Sequence, residues 1–373
     1  MNIKSFLIGS TAALAAVSGA QAADAIVATE PEALEYVRVC DAFGTGFFYI
    51  PGTETCLKFG GYIRFQTSFG RDKSDASDWN SVSRAQFEVD TRTDTELGAL
   101  RGFIGLRGDA DKESSRGVNV DQAFIELGGL KVGQFYNWWD DGLSGEADTL
   151  STNAKFNSIR YVYDTGSFWG GVSLDELEGT GSKFVEFDDE RIGSVYKGYN
   201  HVGISAGLGA KFGAATLQLI GGYDTDQEEG AIRLIATADV GPGTFGLAGV
   251  WASGVNAYYA ESEWAVAAEY AVKATDKLTI TPGVQYSGNI AYKGTAAEFA
   301  AAGGLIPDSK PTDTYYGTNY WSDVNAWKVG VTVDYKITEG LSTKVAVNYE
   351  DFDIEGGELD ARWTGFVRLQ RSF

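Results

Sequence analysis

Alternation of apolar and polar side chains with a period of two recurs along most of this chain, and it restricts the fold more than any other feature. In an extended strand successive side chains point to opposite faces, so this period predicts strands with one apolar and one polar face. The first such segment is LKFGGYIRFQTSF at 57–69. Its apolar face carries Phe59, Ile63, Phe65 and Phe69, and its polar face carries Lys58, Arg64, Gln66 and Ser68.

Sixteen segments follow this pattern, at 57–69, 82–93, 99–108, 119–127, 130–137, 158–164, 168–175, 200–209, 215–223, 231–239, 244–252, 264–273, 278–287, 326–336, 341–351 and 361–373. A closed bacterial barrel with both chain ends on one side of the membrane requires an even number of strands. A water-soluble sandwich could alternate in the same way, but it would need a second dense sheet to cover each apolar face. Glycine and alanine accompany the aromatic residues on these faces, which favours contact with lipid.

The connections between these segments are short and long in turn. Short connections such as DTELG, GGL, DTGS, DVGPG, ATDK and ITEG alternate with long polar ones such as RDKSDASDWNS and DADKESSRGV. Membrane barrels have tight turns on the periplasmic side and longer loops outside. The fold predicted for residues 57–373 is therefore all-β, a 16-stranded antiparallel transmembrane β-barrel.

An export signal is predicted at the start of the chain. Lys4 supplies a positive charge, 6–17 is a short apolar run, and Ala20-Gln21-Ala22 is a small-x-small cleavage site. A transmembrane anchor is the alternative, but the apolar run is shorter than the roughly 20 residues that a spanning helix needs. We therefore predict a signal peptide at 1–22 and an N-terminal segment at 23–56.

The composition argues against several classes of function. The chain has 51 acidic and 30 basic residues, whereas binding to nucleic acid needs a basic surface, so no nucleic acid is expected as a partner. A hydrolase would have to be built on the single histidine, His201, whose neighbours HVGISAG show no nucleophile motif. The sequence shows no metal-ligand cluster and no phosphate-binding glycine loop. We predict that the protein is not an enzyme and binds no metal or cofactor.

The two cysteines, Cys40 and Cys56, are close together in a chain that is predicted to be exported. An oxidising periplasm favours a disulfide between them, which would close a short loop and stabilise the fold by about 3 kcal/mol in the chain-entropy model. Two buried thiols are the alternative. The sequence leaves open whether the segment that contains them lies in the periplasm or enters the barrel.

The segment 134–157, QFYNWWDDGLSGEADTLSTNAKFN, interrupts the alternation with aromatic and acidic residues. It contains no basic residue before Lys155. Because it follows the fifth predicted strand, it is the third outer loop. We predict that this loop folds into the barrel and narrows a water-filled pore, and that its acids line the constriction: Asp140, Asp141, Glu146 and Asp148.

The polar faces of the first three strands carry charge of the opposite sign. The predicted basic wall consists of Lys58, Arg64, Arg84, Arg92, Arg101 and Arg107. A basic wall that faces an acidic loop would produce a transverse electric field, which orients dipolar solutes and disfavours apolar ones. Alternatively, these arginines pair with Glu88, Asp90 and Glu126 and only keep the lumen hydrated.

Several blocks of this sequence resemble a known family. The N-terminal ADAIVATEPEALEYVRVCDAFGTGFFYIPGTETCLKFGGYIRF, then DTELGAL, AFIELGGLKVG and the closing GGELDARWTGFVRLQRSF, are similar to general-diffusion porins of alphaproteobacteria, the rhizobial and brucella type. The resemblance implies a trimeric porin of the Gram-negative outer membrane with a constricting third outer loop. The final amphipathic strand ends in Phe373, and we expect this strand to close the barrel against the first one.

The predicted function is passive transport of small hydrophilic solutes and ions through the outer membrane. The expected partners are two further copies of the chain, in a homotrimer, and the surrounding lipid and lipopolysaccharide. A substrate-specific channel of the same architecture and an outer-membrane barrel hydrolase are the alternatives. The sign of the ion selectivity stays open, because the net charge of −21 and the basic wall have opposite effects.

Overall fold

One compact unit spans Val39–Phe373 and contains the whole barrel. The computed structural model describes residues 38–70, 79–111, 114–115, 117–177, 184–188, 191–195, 201–295, 315–353 and 361–373. The predicted signal peptide at 1–22 lies outside these ranges, as does most of the N-terminal segment before Cys40. Within the described ranges, no helix has the length and apolar character needed to cross a bilayer.

Sixteen antiparallel strands form the barrel wall. They are β1 (Cys56–Phe69), β2 (Trp79–Thr93), β3 (Leu100–Asp111), β4 (Asn119–Leu127), β5 (Leu130–Tyr136), β6 (Lys155–Asp164), β7 (Phe168–Glu176), β8 (Val202–Phe212), β9 (Ala215–Asp224), β10 (Glu229–Val240), β11 (Gly243–Ala252), β12 (Ser262–Lys273), β13 (Leu278–Thr295), β14 (Asn325–Thr338), β15 (Leu341–Asp353) and β16 (Arg362–Ser372). Each strand pairs with its neighbours in sequence, and β16 pairs with β1, so the sheet closes. The predicted sixteen-stranded barrel is confirmed.

The predicted strand positions are confirmed to within a few residues, with one larger difference. The strand predicted at 278–287 continues to Thr295 in the structure. Its extra length pairs with a short strand, Tyr315–Trp321, in the long connection that follows. Sequence alternation is weak there because the pairing extends past the wall into an outer loop.

The large apolar side chains of the wall lie on its outer surface. On β1, Phe59 is 48% exposed, Ile63 59% and Phe65 51%. Polar side chains such as Ser173 and Thr332 are buried inside the barrel instead. This distribution is the reverse of that in a water-soluble protein, and it is the one expected when lipid surrounds the wall and water fills the lumen.

The connections at the two ends of the barrel differ in length, as the sequence predicts. At one end they are short, at 94–99, 128–129, 165–167, 213–214, 241–242, 274–277 and 339–340. At the other end most are long, including 137–154 and 177–201, although the connection at 225–228 is short. The loop at 137–154 is the third connection at the long end, which agrees with the loop count made from the sequence.

The seam between β16 and β1 extends to the last residue of the chain. The backbone N–H of Phe373 donates a hydrogen bond to the carbonyl of Gly61 at 3.1 Å, while the Phe373 ring is exposed on the outer surface. Gly61 has a φ of +148°, and an added Cβ would lie 2.1 Å from the backbone oxygen of Gln86. Only glycine permits β1 to approach β2 so closely at this point.

A disulfide joins Cys40 to Cys56 and confirms the predicted pairing. Both cysteines are buried, and the buried Phe47 belongs to the same apolar cluster. The short strand Phe48–Tyr49 pairs with the first residues of β1, Cys56 and Leu57. The disulfide therefore ties the N-terminal segment to the first strand of the wall.

Candidate pore constriction

The loop at 137–154 lies inside the barrel, and its path begins at Asn137. The Asn137 side chain accepts a hydrogen bond from the backbone N–H of Trp139, which starts a short 3₁₀ turn at Trp138–Asp140. Its Nδ2 also donates to Asp175 and to Ser205, at 3.0 Å each, on the inner faces of β7 and β8. The first residue of the loop is thus bonded to the wall two and three strands further along, which turns the chain inward.

Arg233 of β10 holds the two limbs of this loop together. Its Nη2 donates to the carbonyl of Trp138 at 2.8 Å, and its Nη1 donates to the carbonyls of Trp139 and Leu150. The side chain is only 1% exposed. A guanidinium presents several donors in a fixed plane, so one side chain can bond to carbonyls from both limbs.

The tip of the loop is bonded to the wall further around the barrel. Glu269 of β12 accepts from the backbone N–H groups of Ser144 and Gly145, at 2.8 Å each. The N–H of Glu146 donates to Thr332 of β14 at 2.9 Å, and Asn348 of β15 donates to the Glu146 carbonyl at 3.1 Å. The loop is therefore fixed along the inner faces of β7 to β15.

Aromatic side chains fill the space between this loop and the wall. Trp139 is fully buried beside Tyr258 and Tyr259, with ring centroids 6.3 and 6.1 Å away. Both tyrosines belong to another connection of the long end, at 253–261. The Tyr258 hydroxyl donates to Asp175 at 2.7 Å. This side of the lumen is packed, whereas the cavity beside the loop is lined from β16, β1, β2 and β3.

The four predicted loop acids differ in their surroundings. Asp141 is exposed and accepts from Gln218 of β9 at 2.7 Å. Glu146 forms an ion pair with Lys344 of β15 at 3.1 Å. Burial raises the pKa of Asp140 and of Asp148 above the ordinary carboxyl value. Asp148 also accepts from the N–H of Leu150 in its own loop at 3.0 Å.

The six predicted basic residues separate into two groups by depth. Lys58, Arg92 and Arg101 lie toward the end with short turns, where Arg92 and Arg101 each pair with Asp90 at 3.0 Å. Arg101 also approaches Glu126 at 3.5 Å. For these two arginines the alternative interpretation, pairing with wall acids, describes the contacts that the structure contains.

The other three predicted basic residues lie nearer the loop. Arg84 forms a two-pronged contact with Asp109 at 2.7 and 2.9 Å. Arg107 pairs with the buried Asp121 at 2.9 Å. Arg64 bonds to Gln370, at 2.9 Å, rather than to a carboxylate. On each of the three strands, the arginine of this group lies on the same face as the basic residue nearer the short turns. The alternation in the sequence therefore does not separate the two groups.

A cavity of about 490 Å³ lies between the loop and the basic wall. Its lining includes Arg64 of β1, Arg84 of β2 and Arg368 of β16 on one side, and Asn153 of the loop on the other. The cavity brings two of the six predicted basic residues together with the loop.

The N-terminal segment contacts the inner wall at the opposite end. Phe47 lies beneath two cations of the wall, with its ring centroid 5.7 Å from Lys58 Nζ and 5.1 Å from Arg92 Cζ. Since Lys58 and Arg92 point inward, the disulfide-closed segment enters the mouth of the barrel. A second cavity, of about 320 Å³, lies between it and the wall.

Four residues with central contacts were not singled out by the sequence analysis. They are Arg233, Glu269, Lys344 and Arg368. Strand parity places each of them on the polar face of a predicted strand, so the sequence does indicate that they point into the barrel. Their partners could not be inferred, because parity says which side chains point inward but not what fills the lumen.

Comparison with known proteins identifies relatives over the whole chain. A family model described as the porin subfamily matches residues 24–367. The outer membrane protein IIIA of Rhizobium leguminosarum bv. viciae is 46% identical over 94% of this chain and 90% of its own length. Porin Omp2b of Brucella suis biovar 1 is 34% identical, with full coverage of both chains.

A solved structure shares the fold. The outer membrane channel DcaP of Acinetobacter baumannii superimposes with a TM-score of 0.62, covering 87% of this chain and 99% of that chain, at 11% sequence identity. An identity this low supports the barrel fold alone. The matching porin family and the shared barrel fold both agree with the resemblance to porins that the sequence shows.

We predict that replacing Arg233 with glutamine releases the loop. Buried carbonyls left without donors cost about 1–3 kcal/mol each, so the variant should lose about 3 kcal/mol or more of stability. The unfolding temperature, read from the change in the mobility of the barrel on a gel, should fall. Single-channel currents should become larger and noisier.

The matched control is Arg362→Gln on β16. Arg362 is about half exposed and pairs with Glu350, and an exposed ion pair contributes about 0–1 kcal/mol. This control should resemble the unmodified protein in both measurements. Equal stability and equal currents in the Arg233 variant would contradict the anchoring role.

Proposed function

The chain belongs to the porin subfamily and forms a channel through the outer membrane, and from that premise we propose that it is a general-diffusion pore with its constriction at the loop 137–154. The observation that supports this most strongly is the docking of the loop along β7 to β15, which leaves a 490 Å³ cavity beside Arg64, Arg84 and Arg368. Membership of this family implies a channel rather than an enzyme.

Selectivity at this constriction arises, we propose, from a field across the pore. Asp141 and Glu146 belong to the loop, and Arg64, Arg84 and Arg368 belong to the opposite wall. Charges that face each other across a narrow lumen orient dipolar solutes and disfavour apolar ones, because an apolar solute would displace the oriented water. The pore needs no bond-making, so the fixed charges perform the whole task.

Three of the four loop acids, Asp141, Asp148 and Glu146, contribute unequally to this field in our proposal. Asp141 is exposed, so it acts directly on ions in the pore. Asp148 is close to Glu269 and Lys328 of the wall behind the loop, so its charge acts less on the open side. Glu146 shares its charge with Lys344.

We predict that the double replacement of Asp140 and Asp141 by asparagine lowers the preference for cations. The reversal potential of the channel under a potassium chloride gradient should shift toward the anion side, because two negative charges leave the loop. Asp239→Asn is the matched control, since Asp239 bonds to Thr244 near a short turn at the far end of the barrel. An unchanged reversal potential in the double variant would remove these two acids from the constriction.

General diffusion also differs from substrate-specific transport in its dependence on solute size. Liposomes that contain the protein should swell at rates that fall smoothly with the size of neutral sugars. A steep preference for one sugar over others of equal size would contradict general diffusion and favour the specific channel.

We further propose that residues 1–22 are removed on export and that three mature chains assemble in the membrane, as the resemblance implies. The band of exposed apolar side chains would then contact lipid, lipopolysaccharide and the neighbouring chains. The terminal Phe373 would complete the seam during insertion, through its backbone bond to Gly61. Native mass spectrometry of the detergent-solubilised protein should give the mass of three chains that each start at Ala23. The mass of a single chain would contradict the trimer. A chain that starts at Met1 would contradict the removal of residues 1–22.

A further inference from the structure

A row of four basic side chains crosses the seam where the barrel closes. Lys344 of β15 lies opposite Arg368 of β16, and Arg64 of β1 lies opposite Arg84 of β2. β16 and β1 are themselves paired across the seam. Like charges directly opposite each other on neighbouring strands are destabilising, so this row needs compensation.

Protein carboxylates compensate only the two ends of the row. Asp109 binds Arg84 through both of its oxygens, and Glu146 and Asp334 lie 3.1 and 3.6 Å from Lys344. Among the residues that the structure describes, Arg64 and Arg368 have no carboxylate within ion-pair distance. The two central guanidinium groups therefore lack a direct carboxylate partner, and Glu146 acts on both only from beyond ion-pair distance.

The two central arginines are held in matching ways. The Nε of Arg64 donates to Gln370 at 2.9 Å, and the Nε of Arg368 donates to Gln66 at 2.7 Å. In the strand register, Arg64 pairs with Gln370 and Gln66 pairs with Arg368. The arrangement has an approximate twofold symmetry about the seam, with one arginine and one glutamine from each strand.

Each glutamine is oriented by a serine two residues further along its strand. The amide nitrogen of Gln66 donates to Ser68 at 3.0 Å, and that of Gln370 donates to Ser372 at 3.1 Å. A guanidinium can only donate, so the amide oxygen must face the arginine in both cases. The two serines thus fix the amides in the orientation that receives the Nε–H groups.

An aromatic ring supports each guanidinium from the side. Arg64 lies over the ring of Tyr62 at 4.8 Å, and Arg368 lies over the ring of Phe366 at 4.4 Å. With Nε bonded and one face on a ring, the side chain has little freedom left. The Nη groups of both arginines have no hydrogen-bond partner in the described part of the chain, and both residues line the 490 Å³ cavity.

We propose that Arg64 and Arg368 form a binding site for a small oxyanion, namely phosphate or the phosphate group of a passing solute. This proposal deepens the proposed function, since it rests on the same constriction and names a class of solute that is retained there. Guanidinium groups bind oxyanions through two parallel N–H donors, and both arginines present their Nη groups ready for such bonds. An anion between them would also relieve their mutual repulsion.

The nearest carboxylates are already paired with other cations and do not take the place of an anion between Arg64 and Arg368. Asp109 is engaged with Arg84, and Glu146 is engaged with Lys344. Ser68 and Asn80 add polar groups to the cavity lining, which suits a hydrated anion. A transverse field alone does not require the two matched arginine–glutamine–serine sets, whereas a binding site does, because it depends on fixed donor geometry.

The test measures single-channel currents of the exported protein in potassium chloride while inorganic phosphate is added. Phosphate bound at the constriction should reduce the current in a saturating manner. Arg368→Gln and Arg64→Gln should each raise the half-saturating phosphate concentration about tenfold, the effect of losing a charge-assisted bond. Arg368→Lys keeps the charge without the fork and should fall between the unmodified channel and the glutamine variant.

The matched control is Arg371→Gln on the same strand. Arg371 bonds to the backbone oxygens of Glu339 and Ser372 at the turn, away from the cavity. Its phosphate response should equal that of the unmodified channel. The oxyanion site is overturned if the reduction of the current does not saturate with phosphate concentration. It is also overturned if phosphate reduces the current equally in all variants.

The outcome for the site is separable from the outcome for the pore. Channels that open in potassium chloride but do not respond to phosphate would overturn the oxyanion site and leave the pore intact. A purified protein that forms no channels would contradict the proposed function itself. If one glutamine variant fails to fold, the variant at the paired arginine provides the same measurement.

Discussion

Backbone pairing in the absence of water is the constraint on which the rest of this structure depends. A strand surrounded by lipid has no solvent to bond its N–H and C=O groups, so an open sheet edge would be costly. Pairing of β16 with β1 removes the edge, and the bond from Phe373 to Gly61 completes the seam at its last position. Because the sheet closes, every strand has one face toward lipid and one toward the lumen, and the alternation of the sequence follows.

The lumen has the opposite requirement, because polar groups buried there must find partners. The loop at 137–154 exposes many backbone groups, and Arg233 and Glu269 of the wall bond to several of them. Such a network stabilises the structure when every member is satisfied and is costly when one is removed. The position of the loop inside the barrel is therefore set by the wall residues as much as by the loop itself.

The seam that closes the barrel is also where positive charge accumulates. Arg64 and Arg368 face the cavity from the first and last wall strands, and within the described ranges their partners are glutamines rather than carboxylates. Arg92 and Arg101, nearer the short turns, share Asp90, and Arg101 also approaches Glu126, so two carboxylates neutralise these two arginines locally. Arginine thus has two roles in this wall. Where its partner is a carboxylate its charge is neutralised, and where its partner is a glutamine its charge faces the cavity.

The sequence by itself determined the number of strands, their positions to within a few residues and the inward direction of the basic residues, because each of these follows from the local period. It favoured the disulfide over two buried thiols, because the chain carries an export signal and the two cysteines are close in sequence. The tertiary structure decided the depth of each charge and its partner. Arg64 and Arg92 have the same parity, yet only Arg64 reaches the cavity beside the loop. Arg233 had the same inward signal as many polar residues, and only closure of the barrel placed it against Trp138 and Leu150, since contacts between distant segments depend on the whole path of the chain.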